Sequence, residues 1–150
     1  MSGLKKCVFC ETELTGKEKS VEHIIPQWLL DDLDIRKILI DPTHSTPEKK
    51  IVSKRKHTLE NLKAGQVCKT CNNGWMSDLE LDVKPILNQL IYSKRKIISL
   101  TNEERFILAR WTLKTALTLN SGSNYNKNIP KKHYAELYKD KNSLPENISC

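Results

Sequence analysis

Two Cys-x-x-Cys pairs, Cys7-Val-Phe-Cys10 and Cys68-Lys-Thr-Cys71, restrict the fold of this chain more than any other feature. A two-residue spacer lets both sulfurs of a pair reach one ion from a single turn. Four thiolates then complete the closed tetrahedron of a structural zinc site. Residues 11–67 separate the pairs, far more than in a compact finger, so a shared ion would clamp both ends of a long inserted segment. The alternative is two unrelated pairs of buried or redox-active thiols, although neither pair sits in the βαβ pattern of a redox motif. Cys150 is left over at the end of the chain.

The compartment bears on that choice. The N-terminal run Met-Ser-Gly-Leu-Lys-Lys-Cys-Val-Phe-Cys lacks the apolar region of a signal peptide. No run of about 18 apolar residues suggests a membrane span. A cytoplasmic protein with reduced thiols is expected, where paired knuckles indicate metal before disulfide. Lys and Arg number 25 against 18 Asp and Glu, a net charge of +7. That excess favours a polyanionic partner, nucleic acid first and an anionic membrane surface second. At 150 residues the chain fits one compact domain, and 29% charged residues imply solvated loops.

Between the knuckles, Val21–Ile25 reads as a short strand, with Val21, His23 and Ile25 on one face and Glu22 and Ile24 on the other. Pro26 suits the first turn of a short helix over Gln27–Leu33. Ile35–Ile40 fits strand or helix. Residues 41–56 read as an exposed excursion with one or two short strands. Its cluster of Lys49, Lys50, Lys54, Arg55 and Lys56 is either a solvated face or a set of phosphate contacts. A second strand, Asn61–Val67, leads into Cys68.

Ser77 and Glu80 form a Ser-x-x-Glu capping box, predicting a helix that begins near Asp78 and is kinked or restarted at Pro85. Thr101 and Glu104 form another before Phe106–Leu119, where Phe106, Trp111, Leu113 and Leu117 recur at helical spacing as core residues. Residues 121–128 read as a polar loop, and Pro130–Lys139 as a last helix packing through Tyr134, Leu137 and Tyr138. Trp75 and Met76 read as core anchors. Asn73-Gly74 reads as a turn dipeptide.

Taken in order, Cys7-x-x-Cys10, Glu22-His23-Ile24-Ile25-Pro26 and Val67-Cys-Lys-Thr-Cys-Asn-Asn-Gly-Trp-Met-Ser-Asp-Leu-Glu80 resemble the HNH endonuclease family in its zinc-stapled form. The matched elements span Cys7 to Glu80. The resemblance implies an α+β fold with a ββα-metal (His-Me finger) core and its knuckle pair over residues 1–92; residues 93–150 match no family motif and read from their helical spacing as a C-terminal extension packed on the same domain. The resemblance further implies that His23 is the general base, that Glu22 ligates a catalytic divalent ion, and that Asn72 faces the same ion. Asn61-Leu62 is the candidate for the middle Asn-Leu. It lies seven residues ahead of Cys68, farther than the family pattern, and His57 is the alternative there.

The implied chemistry suits those residue types. Phosphodiester hydrolysis needs an activated water in line with the leaving 3′ oxygen and a cation to stabilise developing charge. Imidazole serves as a base near neutral pH. Mg²⁺ or Mn²⁺ prefers oxygen ligands and needs few protein groups beside the phosphate. The expected cofactors are therefore a structural Zn²⁺ and a catalytic Mg²⁺ or Mn²⁺, with DNA as partner and RNA as its alternative. Two further readings use the same residues: a zinc-stapled module that binds nucleic acid without cutting it, and a scaffold whose C-terminal helices dock a protein.

Overall fold

The structure, a computed structural model, describes residues 5–46, 48–54, 56–122 and 129–145. In chain order its elements are β1 (Lys19–His23), α1 (Gln27–Asp32), β2 (Leu39–Ile40), β3 (Thr43–Ser45), β4 (Ile51–Lys54), β5 (His57–Thr58), β6 (Lys63–Cys68), the single turn α2 (Lys69–Cys71), α3 (Ser77–Tyr92), α4 (Asn102–Gly122) and α5 (Lys131–Lys139). The fold is mixed α+β, with two-stranded sheets pairing β1 with β6, β2 with β5, and β3 with β4. Among the described residues no helix is long and apolar enough to cross a membrane. Contacts group the chain into two compact units, residues 1–22 with 64–150, and residues 23–63.

In the larger unit the core gathers around the knuckle cysteines. Cys7, Cys68 and Cys71 are buried with Phe9, Val67 and Met76, and α4 and α5 close the cluster with Leu113, Leu117, Tyr134 and Leu137. Each such aliphatic or aromatic side chain removed from water contributes about 1.5–3 kcal/mol. Phe9 meets the Trp75 ring edge-on at 5.3 Å and the Tyr134 ring at 5.4 Å. Trp75 and Met76 thus anchor the core, as their size and position predict. The 93–150 segment supplies part of this core.

The strand alternation of β1 is present, and it buries the Glu22 face: Glu22 is 4% exposed and Ile24 5%, against 48% for Val21. β6 begins two residues later than expected, because Leu59–Asn61 forms a 3₁₀ turn and removes Asn61 from the strand.

The start of α3 differs from the capping-box expectation. The backbone is already helical from Lys69, where the sulfur of Cys68 accepts the Cys71 N–H in place of an oxygen cap. The helical path then widens over Asn72–Met76 and bends at Gly74 (φ −100°, ψ −115°). Ser77 enters α3 with helical dihedrals, and Glu80 turns to Lys114 instead of the backbone. Pro85 neither ends nor restarts α3, which runs on to Tyr92. The Thr101–Glu104 box forms as expected: Glu104 accepts from the Thr101 N–H at 2.8 Å, and Thr101 Oγ1 accepts from the Glu104 N–H at 3.2 Å. α4 extends to Gly122, beyond the predicted loop start, and residues 123–128 of that loop lie outside the described residues.

In the smaller unit, Pro26 precedes α1 as its fixed φ favours. Arg36 ties α1 to the following turn through Asp31 and Gln27. The ambiguous stretch 35–40 resolves into that turn plus β2, which pairs antiparallel with β5 through Leu39–Thr58 and Ile40–His57. β3 and β4 form an antiparallel pair inside the polar excursion, irregular between His44 and Ser45.

Candidate functional site

The sulfurs of Cys7, Cys10, Cys68 and Cys71 all lie within 4.8 Å of one another. Cys10 and Cys68 are 3.5 Å apart, and Cys7 and Cys71 3.9 Å. Disulfides require about 2.05 Å. Four sulfurs bound at about 2.3 Å to a tetrahedral zinc are about 3.8 Å apart, so the spacing fits an ion at the centre. Backbone N–H groups of Cys68 and Cys71 point at Cys7 Sγ and Cys68 Sγ, each at 3.4 Å. Those donors favour thiolates. The sulfur–sulfur hydrogen bond with Cys71 draws the Cys7 thiol down to about 4 against the upward push of burial, and the same bond pushes Cys71 up. The four cysteines could hold a structural metal ion such as zinc.

The turn that closes this cluster leads directly into a polar pocket. A cavity of about 280 Å³ is lined by Glu22, Asn72, Asn73, Met76, Ser77 and Glu80. Asn72 follows Cys71 without a gap, so the knuckle fixes its backbone. Its Nδ2 donates to Ser20 Oγ at 2.7 Å and lies 3.5 Å from the Val21 carbonyl, tying the side chain to β1.

Glu22 reaches the pocket from β1 and does not stand alone. Lys114 of α4, with none of its side chain exposed, donates to Glu22 Oε1 at 2.6 Å and to Glu80 Oε1 at 2.8 Å. Burial pushes the Glu22 carboxyl above its ordinary range; the Lys114 ammonium draws it back and Glu80 adds a smaller upward push. A carboxylate this deep needs such a partner, because an unpaired charge out of water costs several kcal/mol. Sequence reading missed Lys114 and the turn of Glu80 toward it. The available signal was a lysine on the stripe formed by Arg110, Leu113, Leu117 and Ser121, where a helix turned to the core would carry apolar residues.

The other expected site residues fall as follows. His23 is half-buried at the end of β1, next to Glu22 in sequence and at the start of the 23–63 unit. Asn61 is exposed in its 3₁₀ turn, where Nδ2 donates to Thr58 Oγ1 at 2.7 Å, and His57 is half-buried in β5. Lys49, Lys50 and Lys56 are exposed, Lys54 pairs with Asp41 at 3.1 Å, and Arg55 lies outside the described residues. The structure thus brings the four cysteines into one cluster and Glu22 and Asn72 into one pocket. No family model, no curated protein and no solved structure matches this chain.

Proposed function

We propose that this chain is a metal-dependent HNH endonuclease that hydrolyses phosphodiester bonds in DNA, built on a zinc-stapled ββα-metal core. The observation that carries the reading is the shared pocket of Glu22 and Asn72, set directly behind the cysteine cluster. Zinc at Cys7, Cys10, Cys68 and Cys71 is structural: with four protein ligands it has no open position for substrate. A Mg²⁺ or Mn²⁺ ion is the catalytic one. Glu22 offers a carboxylate oxygen and Asn72 its Oδ1, since its Nδ2 is engaged with Ser20. A hard ion that keeps several waters needs no larger protein shell. His23, adjacent to Glu22, takes a proton from the attacking water as the bond to the 3′ oxygen breaks, and a divalent ion held by Glu22 and Asn72 would supply the positive charge that offsets the phosphate's. Asn61 or His57 fills the family's middle position, and Lys49, Lys50, Lys54, Arg55 and Lys56 hold phosphates.

A second reading is supported by the Lys114 ion pair, which already occupies Glu22 Oε1. On that reading the chain is a zinc-stapled module that binds nucleic acid and does not cut it. Plasmid DNA incubated with protein and Mg²⁺ or Mn²⁺ separates the two. The nuclease reading expects conversion to nicked or linear product by wild type and a loss of at least about a hundredfold in His23→Ala, the usual worth of a general base. Equal products from the two proteins, with either metal, overturn the nuclease reading. A labelled RNA in parallel identifies the substrate class.

A further inference from the structure

Between α3 and α4 the chain makes a basic turn, Ser93-Lys-Arg-Lys-Ile-Ile-Ser99, that is strongly pinned from within. Arg95 donates to both carboxylate oxygens of Glu104 at 2.6 and 2.7 Å, to Gln89 Oε1 at 2.5 Å and to the Ser99 carbonyl at 3.0 Å. Ser99 Oγ donates to the Lys96 carbonyl at 2.7 Å, and Arg105 donates to the Ile98 carbonyl at 2.8 Å. Leu100, 4% exposed, anchors the exit. Yet this ordered turn holds Ile97 67% and Ile98 80% exposed, the latter the most exposed large hydrophobic among the described residues. Lys94 and Lys96 beside them are exposed too. With Arg95 and Glu104 neutralising each other, Lys94, Lys96 and Arg105 face one exposed carboxylate in the stretch, Glu103.

We propose that this turn is a duplex-DNA contact, in which Ile97 and Ile98 press into the minor groove at a base step while Lys94 and Lys96 meet the flanking phosphates. The inference rests on DNA being the partner but not on the chain cutting it. Architectural proteins insert one or two apolar side chains between base steps, with cations on either side. That is the chemistry presented here. Because Arg95 has already ordered the turn, little conformational freedom remains to be lost on binding. A membrane fits less well: two isoleucines bury less hydrocarbon than one myristoyl chain, which alone anchors only marginally. A protein partner would need about 800 Å² of surface from each side, more than a two-residue tip supplies.

The test measures anisotropy of a short labelled duplex, and of one of its single strands, with full-length protein and no added divalent ion. Ile97→Ser/Ile98→Ser is compared with Lys94→Ala/Lys96→Ala and wild type, and vesicles with and without phosphatidylserine are assayed by sedimentation. Both double variants change exposed side chains, and unchanged thermal transitions verify their fold. The isoleucine variant is expected to lose about tenfold or more in duplex affinity, the cost of the missing wedge, with its salt dependence unaltered. The lysine variant should lower the slope of log affinity against log salt by about 2. Wild type that binds no duplex at low salt overturns the DNA reading itself. Wild type that binds, with an isoleucine variant that binds equally, overturns this inference alone, as does binding to phosphatidylserine vesicles in preference to duplex.

Discussion

Lys114 is a cation with no water to solvate it, and its two salt bridges explain how it is tolerated. Desolvating an ammonium costs several kcal/mol, and the return comes only while both carboxylates stay in place. Removing one partner is therefore worse than removing the set. Lys114→Met should destabilise the protein by about 3–5 kcal/mol, because Glu22 and Glu80 are left facing each other, one of them buried. Glu22→Gln/Lys114→Met should recover part of that loss, since it removes the uncompensated buried charge. Denaturant unfolding of the three proteins checks this, and a double variant no better than the single would show that the pairing contributes nothing. The ordered motifs, with Glu22-His23 set between the two knuckles, and their resemblance to a nuclease pattern pointed to Glu22. They did not point to its partner, because Lys114 lies 92 positions away and Glu80 lies 34 positions from Lys114. Only the folded chain makes them neighbours.

Two helices with the same written start behave differently, and the difference is what each carboxylate finds nearby. Thr101-x-x-Glu104 meets an unoccupied helix end, so both halves of the box form, and Arg95 adds a bidentate pair. Ser77-x-x-Glu80 meets backbone that is already helical from Lys69, with the Ser77 N–H bonded to the Gly74 carbonyl, and a buried ammonium claims Glu80 instead. Local pattern predicts a cap only where the preceding backbone is not helical. The same comparison gives a pH prediction. Arg95 and the Thr101 N–H hold the Glu104 carboxyl at about 2, below its ordinary 4.5. A carboxylate with a depressed folded value adds stability above its unfolded value and loses it as pH falls toward the folded one. Wild type should therefore melt above Glu104→Gln at pH 6, and the gap should close progressively between about pH 4.5 and pH 2. Thermal melts across that range would show a constant gap if the Glu104 charge were irrelevant.

The cysteine spacing reads the global organisation more deeply than any helix or strand pattern, because metal geometry admits few arrangements. Two pairs far apart in sequence imply one cluster, and one cluster is what the chain forms. The contents of the core around it were less readable. Leu113 and Leu117 show at helical spacing, but nothing in α4 or α5 announces that they pack against Cys7, Cys68 and Cys71. Apolar residues specify burial without specifying a partner. That packing has a consequence for metal removal. A zinc held by four thiolates contributes its binding free energy to folding, and of the four cysteines that could hold one here, Cys7, Cys68 and Cys71 are buried in the main apolar cluster with Cys10 packed against it. Stripping the ion would leave four sulfurs within 4.8 Å of one another with no cation to hold them there. Elemental analysis should find about one zinc per chain. Chelation, or Cys68→Ser, should then abolish the cooperative thermal transition of the unit that contains residues 64–150, with near-ultraviolet circular dichroism from Trp75 and Tyr134 lost along with the metal. A protein that contains no zinc and still melts cooperatively at the same temperature would show that the apolar packing alone holds the cysteines together.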